Sequence, residues 1–443
     1  MVTSEVRAQR WQTAGLFAFF FLVIAAFWVQ KPIRTSRFLS EVGPTALPLV
    51  KLGTAALVLP AMLLYSSLAA RFRREALVYI FSALFIIGSL TFWWLLSGKA
   101  PGGWTAYAYF FYVDIFSSVM VALFWSFAND LTSPERARAT YGLVGAGGIA
   151  GGVAGSALTG WLVGPLGAAN LLLVCVFILA VIALLARLLA RSGADQPARA
   201  PERAASLREA LAGARLTAAS PYLTAIATIV VGYEIVSNII DYQFNTAVAA
   251  RFHGDAAMAA FLGRFSTVSN LASLVMQVLL TSWILRRWGP RVGLLILPAA
   301  LGLGSLGFLC VPVFGFIAGT FFSDAALGYS LNQTTKEVLY TPTDEATKYQ
   351  AKAFIDMFLM RLAKGASSLL ILASMAWWLP GSGAVHWLSA IAVAVVALWA
   401  AVARSAARHF TVQTEGVAPH ATDPADAPRQ RAAAAPVLLR ARP

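Results

Sequence analysis

The chain has 443 residues, 59% of them hydrophobic and 12% charged, with a formal net charge of +14. An average soluble domain carries roughly 25% charged residues, so this balance excludes an ordinary water-soluble globule. The apolar residues come in runs of about 20, the helix length that crosses ~30 Å of hydrocarbon, and they lack the polar face that recurs every 3.6 residues in a soluble helix.

In chain order, a short polar leader with Arg7 and Arg10 precedes the first run. From Ala14 to Trp28 that run is long and aromatic, and no small-residue cleavage site follows. It therefore predicts a retained first span rather than a signal peptide. Spans are expected at 13–31, 47–70, 76–96, 104–127, 141–163, 168–190, 221–245, 259–285, 291–311, 314–335, 351–378 and 386–407. Residues 191–219 are polar and rich in Ala, Arg and Pro, with a short helix expected around Leu207 to Leu216. Residues 411–443 form an Ala/Pro/Arg tail whose composition predicts disorder. The expected fold class is an all-α membrane protein of about twelve transmembrane helices in two six-helix bundles, 1–190 and 220–410, joined by the 191–219 linker.

Loop charge sets the expected orientation. One set of short loops holds Arg71, Arg73 and Arg74; Arg136 and Arg138; Arg286, Arg287 and Arg291; and Lys336, Lys348 and Lys352. The other set has Lys99 and Arg251 as its main cations. The first set is thus predicted to be cytoplasmic, and with it the linker and both termini, in a bacterial inner membrane. The positive charge is largely this bias plus the tail. No basic patch on a folded face points to nucleic acid, so the expected partners are the bilayer and a small solute.

The two halves repeat weakly. Phe124-Trp125-Ser126-Phe127-Ala128-Asn129-Asp130 leads into Thr132-Ser133-Pro134-Glu135-Arg136-Ala137, and Tyr329-Ser330-Leu331-Asn332-Gln333 leads into Thr341-Pro342-Thr343-Asp344-Glu345-Ala346. Both lie at the cytoplasmic end of the fourth span of their half. A parallel repeat of six-span units is the pattern of major-facilitator transporters, whose substrate site lies at mid-depth between halves.

No metal cluster, nucleophile elbow, phosphate-binding loop or dinucleotide fingerprint is visible, and no cofactor is expected. Cys175 and Cys310 sit in different apolar runs and read as packing residues. Gly145-Ala146-Gly147-Gly148 reads as a small-residue surface for close helix packing.

Intramembrane charges carry the functional argument, because a charge at a helix centre costs about 2.5–3.5 kcal/mol on insertion scales. Lys31, Arg34 and Arg37 step by three at the outer end of span 1, and Lys51 enters span 2 from the same side. The positive-inside rule disfavours cations there, so they read as a funnel for an anion, against the alternative of interfacial snorkelling. Glu234, Asn238 and Asp241 fall on one face of span 7. They are expected to face a cavity or to pair with cations, Arg34 and Arg264 being candidates. Asp356, Arg361 and Lys364 lie on span 11, with Lys364 too deep to snorkel. Asp114 and Asp324 are isolated acids whose role stays open.

At these residues the chain resembles the ATP/ADP translocase family of plastids and obligate intracellular bacteria. The resemblance rests on three stretches. The first runs from Phe124 through Asn129 and Thr132 to Tyr141-Gly142-Leu143. The second is Phe261-Leu262-Gly263-Arg264-Phe265-Ser266-Thr267 with Ser282-Trp283-Ile284-Leu285-Arg286. The third is Lys336-Glu337-Val338-Leu339-Tyr340-Thr341-Pro342 with Asp344 to Lys348, Lys352 to Asp356, and Lys364. It implies a major-facilitator-like nucleotide exchanger, with Arg34 and Arg37 at the family's cationic positions and Asp241 matching its span-7 glutamate. Thr35, Asn245 and Arg264 stand where the family has an acid, a lysine and an acid.

Together these readings predict a non-enzymatic secondary transporter that exchanges a nucleotide or related phosphorylated anion. Substrate contacts are expected from Lys31, Arg34, Arg37, Lys51, Asn129, Asn238, Asp241 and Lys364. Gating or coupling is expected from Glu234, Asp241, Lys336, Lys352, Asp356 and Arg361. Two alternatives remain: a proton-coupled major-facilitator transporter of another solute, working through Glu234 and Asp241, and a membrane sensor or assembly protein that transports nothing. The predicted topology has a direct test in sealed cells. An impermeant thiol reagent should miss Ala205→Cys in the linker and reach Gly383→Cys; labelling at 205 would invert the orientation.

Overall fold

The computed structural model describes residues 2–98, 103–192, 207–340, 343, 350–352, 354–377 and 382–415. The described residues are overwhelmingly helical. The first half comprises α1 (Val2–Glu41), α2 (Leu47–Ala69), α3 (Arg74–Ser97), α4 (Trp104–Leu131), α5 (Pro134–Leu166) and α6 (Leu171–Ser192). A short helix, α7 (Leu207–Ala219), follows within the expected linker. The second half comprises α8 (Pro221–Arg251), α9 (Asp255–Val275), α10 (Thr281–Cys310), α11 (Phe314–Leu327), α12 (Gln333–Leu339), α13 (Met360–Trp377) and α14 (Leu388–Glu415).

Nine stretches of the described residues are long and apolar enough to cross a membrane. The difference from the twelve expected from sequence lies in the second half. Asp255–Cys310 forms one 56-residue stretch, far longer than one crossing needs. It turns at Gly289, whose φ of 74° is a left-handed conformation that favours glycine. The 14-residue α11 is extended to α12 only through a π-helical turn, Gly328–Asn332. Two further π-helical turns lie at Met276–Leu280, between α9 and α10, and at Phe354–Leu359, which leads into α13; this last stretch carries Asp356, Arg361 and Lys364. Large apolar side chains that no protein covers, such as Leu63, Phe177, Leu303 and Trp377, form the surface that lipid must solvate.

Both ends of the chain's helical part lie at one end of the bundle, here termed proximal. Gln12 Nε2 donates to the Leu131 carbonyl at 2.5 Å, and Tyr222 donates to the Leu339 carbonyl at 2.7 Å. At the opposite, distal end Thr105 donates to Glu41 at 3.4 Å and Gln243 to the Val385 carbonyl at 2.9 Å. Two departures from the expected boundaries stand out. Helix α1 runs on past Pro32 to Glu41, although proline removes one backbone hydrogen bond. Helix α14 continues to Glu415, so the first residues of the expected tail are helical; 416–443 and the linker stretch 193–206 lie outside the described residues.

The first half has its own aromatic core, in which Phe19 and Phe20 of α1 pack on Phe124 of α4. A second core crosses between halves at the distal end. There Phe38, Leu47, Val50 and Phe110 join Ile240, Val248, Met258 and Leu262. Helix α5 is the seam. Added Cβ atoms at Gly147, Gly151 and Gly155 would lie 2.8, 2.2 and 2.2 Å from the carbonyl oxygens of Phe17, Phe21 and Ala25 on α1. Farther along, a Cβ on Gly263 of α9 would lie 2.5 Å from the Gly160 backbone nitrogen. Glycine thus lets α5 touch the backbones of both neighbours, as small residues do in membrane helix pairs. Of the glycines singled out in the sequence, Gly147 and Gly148 pack on α1, whereas Gly145 faces open space. Cys175 is buried, while Cys310, at the end of α10, is exposed.

These contacts predict a contrast. Gly155→Leu must displace backbone, so it should destabilise by more than the ~1–3 kcal/mol of ordinary overpacking and lower the melting temperature in detergent. Gly145→Leu should melt close to wild type.

Candidate functional site

Between the two halves lies a cavity of about 600 Å³. Helices α1, α2, α4, α8, α9, α11 and α13 all supply parts of its wall. The stripe read from sequence on α8 faces it. Glu234, Asn238 and Asp241 all line the cavity, as i, i+4, i+7 spacing places them on one helical face.

The partners of these groups come from elsewhere in the chain. Lys51 of α2 forms an ion pair with Asp241 and donates to Asn238 Oδ1 at 2.7 Å. The Asn238 amide nitrogen is 3.2 Å from both Ser367 and Ser368 of α13. One amide therefore links α2, α8 and α13. Glu234, only 4% exposed, lies 3.5 Å from Lys364, whose side chain is 59% exposed toward the cavity. Neither acid pairs with Arg34 or Arg264. Arg34 instead pairs with Asp114 of α4, which also accepts from Thr54 at 3.0 Å. The Arg34 guanidinium lies over the Phe110 ring at 4.2 Å, and its Nε is buried without a hydrogen-bond partner among the described residues. Arg264 donates from Nε to the Gly160 carbonyl across the α5–α9 seam, at 2.9 Å.

Lys31 and Arg361 also line the cavity, and among the described residues neither has a carboxylate in ion-pair range. The Lys31 ammonium rests over the Trp28 indole, 4.2 Å from the ring centre. Asp324 is the counterpart among the acids. It is 7% exposed, accepts from Ser237 at 2.6 Å, and meets no cation in ion-pair range among the described residues. Among the described residues, six basic side chains (Lys31, Arg34, Lys51, Lys336, Arg361, Lys364) and four acidic ones (Asp114, Glu234, Asp241, Asp324) line the cavity. With all ten ionised the lining carries a surplus of positive charge, and attraction across a low-dielectric space is far stronger than in water.

Four residues singled out from sequence lie outside this lining. Arg37 points to the distal rim, where it pairs with Glu41 at 2.5 Å and with Asp255 of α9 at 3.1 Å. Three residues turn a helix by about 300°, so a step-of-three series drifts by ~60° each time. Lys31 and Arg34 share the cavity face and Arg37 has rotated off it. Asn129 accepts from Tyr141 at 2.7 Å and braces the α4–α5 turn. Lys352 pairs with Glu337 at 2.5 Å. Asp356 pairs with Lys336 at 3.0 Å, so of that pair only the lysine reaches the cavity. Asp344 to Thr347 and Lys348 of the third stretch lie outside the described residues. Asp114 and Asp324, left open from sequence, both prove to be cavity residues.

Two opposed helical halves around a central charged cavity define a transporter architecture of major-facilitator type. Solved structures agree in fold. A POT family transporter in complex with a thioalcohol conjugated peptide has a TM-score of 0.64 at 12% identity, covering 89% of this chain and 96% of that one. A bacterial homologue of the iron transporter ferroportin in an inward-facing state has a TM-score of 0.62 at 14% identity, covering 90% and 98%. Residues 92–328 and 313–410 match the family described as TLC ATP/ADP transporter, and the chain belongs to that family. ADP,ATP carrier protein 1 of Chlamydia muridarum is 24% identical over 429 residues, 80% of each chain. The Chlamydia pneumoniae protein of the same name is 23% identical, covering 90% of this chain and 91% of that one. A chloroplastic ADP,ATP carrier of Arabidopsis thaliana is 25% identical over 69% of this chain, which spans 54% of that longer relative.

The Lys51–Asp241 pair joins the halves and predicts a measurable coupling. A double-mutant cycle with Lys51→Met and Asp241→Asn, read from melting in detergent, should give about 1–3 kcal/mol, as for charges in contact. Additive effects would mean the pair contributes nothing to closing the distal end.

Proposed function

We propose that this protein is a secondary transporter exchanging nucleotides of the ATP/ADP kind by alternating access, with both termini and the linker in the cytoplasm of a bacterial cell. The carrying observation is the positive surplus of a cavity shared by two halves, in a chain whose family and relatives are named for ATP/ADP transport. Phosphate oxygens would be held by Lys31, Arg34, Lys51 and Lys364. Arg34 offers a buried Nε without an acceptor, and its planar fork suits phosphate in a way a lysine does not. Lys364 and Glu234 both line the cavity, but the Lys364 side chain is far more exposed than that of its partner, so the lysine can turn to a substrate phosphate while the acid stays buried.

The cross-half contacts support the switching step. Arg37–Asp255 and Lys51–Asp241 tie the halves at the distal end, and with them goes the shared apolar core. Moving to the other access state requires those pairs to separate. A polyanion that draws Lys51 away from Asp241 would weaken the tie while it is bound, which couples occupancy to the switch.

The test is uptake of labelled ATP and ADP by intact cells expressing the protein, with and without preloaded nucleotide. Acceleration by the preloaded nucleotide is the expected outcome; no uptake of any nucleotide would overturn the proposal. Arg34→Gln should raise the apparent KM, more for ATP than for ADP, and Arg34→Lys should restore it only in part. Asp324 favours one second reading, proton coupling, because it adds to Glu234 and Asp241 a third cavity carboxyl on the second half, one that meets no cation in ion-pair range among the described residues. Exchange that persists after the proton gradient is collapsed would dismiss it.

A further inference from the structure

Helix α6 closes the first half and α14 closes the second, and both carry one pattern near their proximal ends. It reads Ala186-Arg187-Leu188-Leu189-Ala190-Arg191 in α6 and Ala403-Arg404-Ser405-Ala406-Ala407-Arg408 in α14. Arginines four apart share a helical face. Ala186, Leu189, Ala403 and Ala407 are buried against the bundle, and all four arginines are exposed. Among the described residues none of the four has a carboxylate in ion-pair range. Glu75, the acid in the first turn of α3, accepts instead from Tyr79 at 2.5 Å. A neighbouring helix adds a third cation in each half. Helices α3 and α6 run antiparallel, and Trp93 of α3 donates to Asn170, just before α6, at 3.0 Å. Equal counts from that contact toward the proximal end set Arg74 level with Leu189, and the exposed Arg73 level with Ala190. Arg74 is taken up by Asp130 at 3.4 Å. Helices α10 and α14 repeat the arrangement. A Cβ on Gly302 would lie 3.0 Å from Val396 Cγ1, and equal counts from there set the exposed Arg291 level with Ala407, between Arg404 and Arg408. Around each triad large apolar side chains are exposed: Ile80, Leu184 and Leu188 in the first half, Val292 and Leu398 in the second.

We propose that each triad binds the headgroup of an anionic phospholipid from the proximal leaflet, one lipid on each half. The triads are Arg73, Arg187 and Arg191, and Arg291, Arg404 and Arg408. Charge in loops is enough to orient a chain. It does not call for arginines inside two apolar spans, Leu171–Arg191 and Val385–His409, at the same spacing in both halves. Basic clefts between membrane helices suit anionic headgroups. A phosphodiester offers two oxygens to a planar guanidinium, while the acyl chains cover the apolar surface beside it. A zwitterionic lipid brings its own cation, which three arginines repel. A bound headgroup would bridge α3 to α6 and α10 to α14, and so would strengthen each half without touching the contacts between halves. Both triads lie outside the cavity, so the proposal stands independently of the substrate.

The test uses the full-length protein in detergent, with bound lipid counted by native mass spectrometry and melting followed in parallel. The probes are phosphatidylglycerol, phosphatidylcholine and inorganic phosphate. Wild type should retain one phosphatidylglycerol per half, melt at a higher temperature with it, and retain no phosphatidylcholine. Arg187→Gln with Arg191→Gln, and Arg404→Gln with Arg408→Gln, should each weaken one site on the order of tenfold, since every basic group adds its own attraction to anionic lipid. All four changes together should abolish retention. Arg7→Gln with Arg10→Gln, at exposed positions of α1 outside both triads, should behave as wild type. Equal melting in phosphatidylcholine shows that a variant is folded, and Arg191→Gln or Arg408→Gln alone replaces any double variant that melts early. Equal retention of the two lipids by wild type, unchanged retention by the triad variants, or the same loss from the α1 variant would overturn the proposal. So would a rise in melting temperature with inorganic phosphate that the triad variants lose, because it would give the arginines to a free anion.

Discussion

A charge taken out of water needs a partner, and that constraint organises the middle of this molecule. Ten ionisable side chains line one cavity within an apolar bundle. Arg34 finds Asp114, Lys51 finds Asp241 and Lys364 finds Glu234. Each partner is on a different helix, so the pairs position helices as well as charges. Each pair takes one acid and one cation, and Lys336 is matched by Asp356 outside the lining. Among the described residues, Lys31 and Arg361 are left without a carboxylate in ion-pair range and Asp324 without a cation, so one positive charge is in excess with all groups ionised. A site built this way is stable without substrate because most of its charges are mutually compensated. Under the proposed function, a polyanionic substrate would compete with the carboxylates for the cations. Breaking a buried pair is strongly unfavourable when nothing replaces the lost partner, so under the proposed function the pairs would hold until a phosphate takes the place of the carboxylate.

The fold was visible in sequence because bilayer thickness and helix rise constrain it so tightly. Long apolar runs, basic loops and a repeated motif after the fourth span of each half were enough to place the elements of the first half. The second half was harder where helices do not follow the rule. Gly289 turns the chain where the gap between spans 259–285 and 291–311 was expected, but three π-helical turns interrupt helices near Met276, Asn332 and Asp356. The site was visible only as an inventory of misplaced charges. Periodicity placed Glu234, Asn238 and Asp241 together because they share a helix. It could not supply their partners: Lys51 is 190 residues from Asp241 and Arg34 is 80 from Asp114. Periodicity also carried Arg37 too far, since a step of three is not a full turn.

Glycine and charge divide the work of holding the halves. On α5 the glycines bring backbone against backbone, which fixes α1 and α9 on either side of the seam. That contact is apolar and insensitive to a ligand. The ion pairs at the distal end are sensitive to one. A transporter needs both kinds of contact, because a seam of packing alone would not register an anion, and one of ion pairs alone would not hold a hinge. The shared apolar core around Phe38, Leu47 and Val248 adds area that must be uncovered when the distal end opens. Lipid or water entering there replaces it, so the energy difference between the two access states need not be large.

The positions where this chain departs from the pattern it resembles fit the same scheme. A lysine at 245 would sit one turn from Asp241 on α8 and compete with Lys51 for that carboxylate. Asn245 cannot compete, and its amide donates instead to the Asp241 backbone carbonyl at 2.8 Å. Asp241 is thereby given over to Lys51, so its counter-ion comes from the opposite half rather than from its own helix. Arg264, where an acid is expected, lies outside the cavity and donates to the Gly160 carbonyl on α5. Both changes move polar interactions from within one half to between halves. Their effect falls first on the strength of the distal closure, and the cavity cations Lys31, Arg34 and Lys364 stay in place.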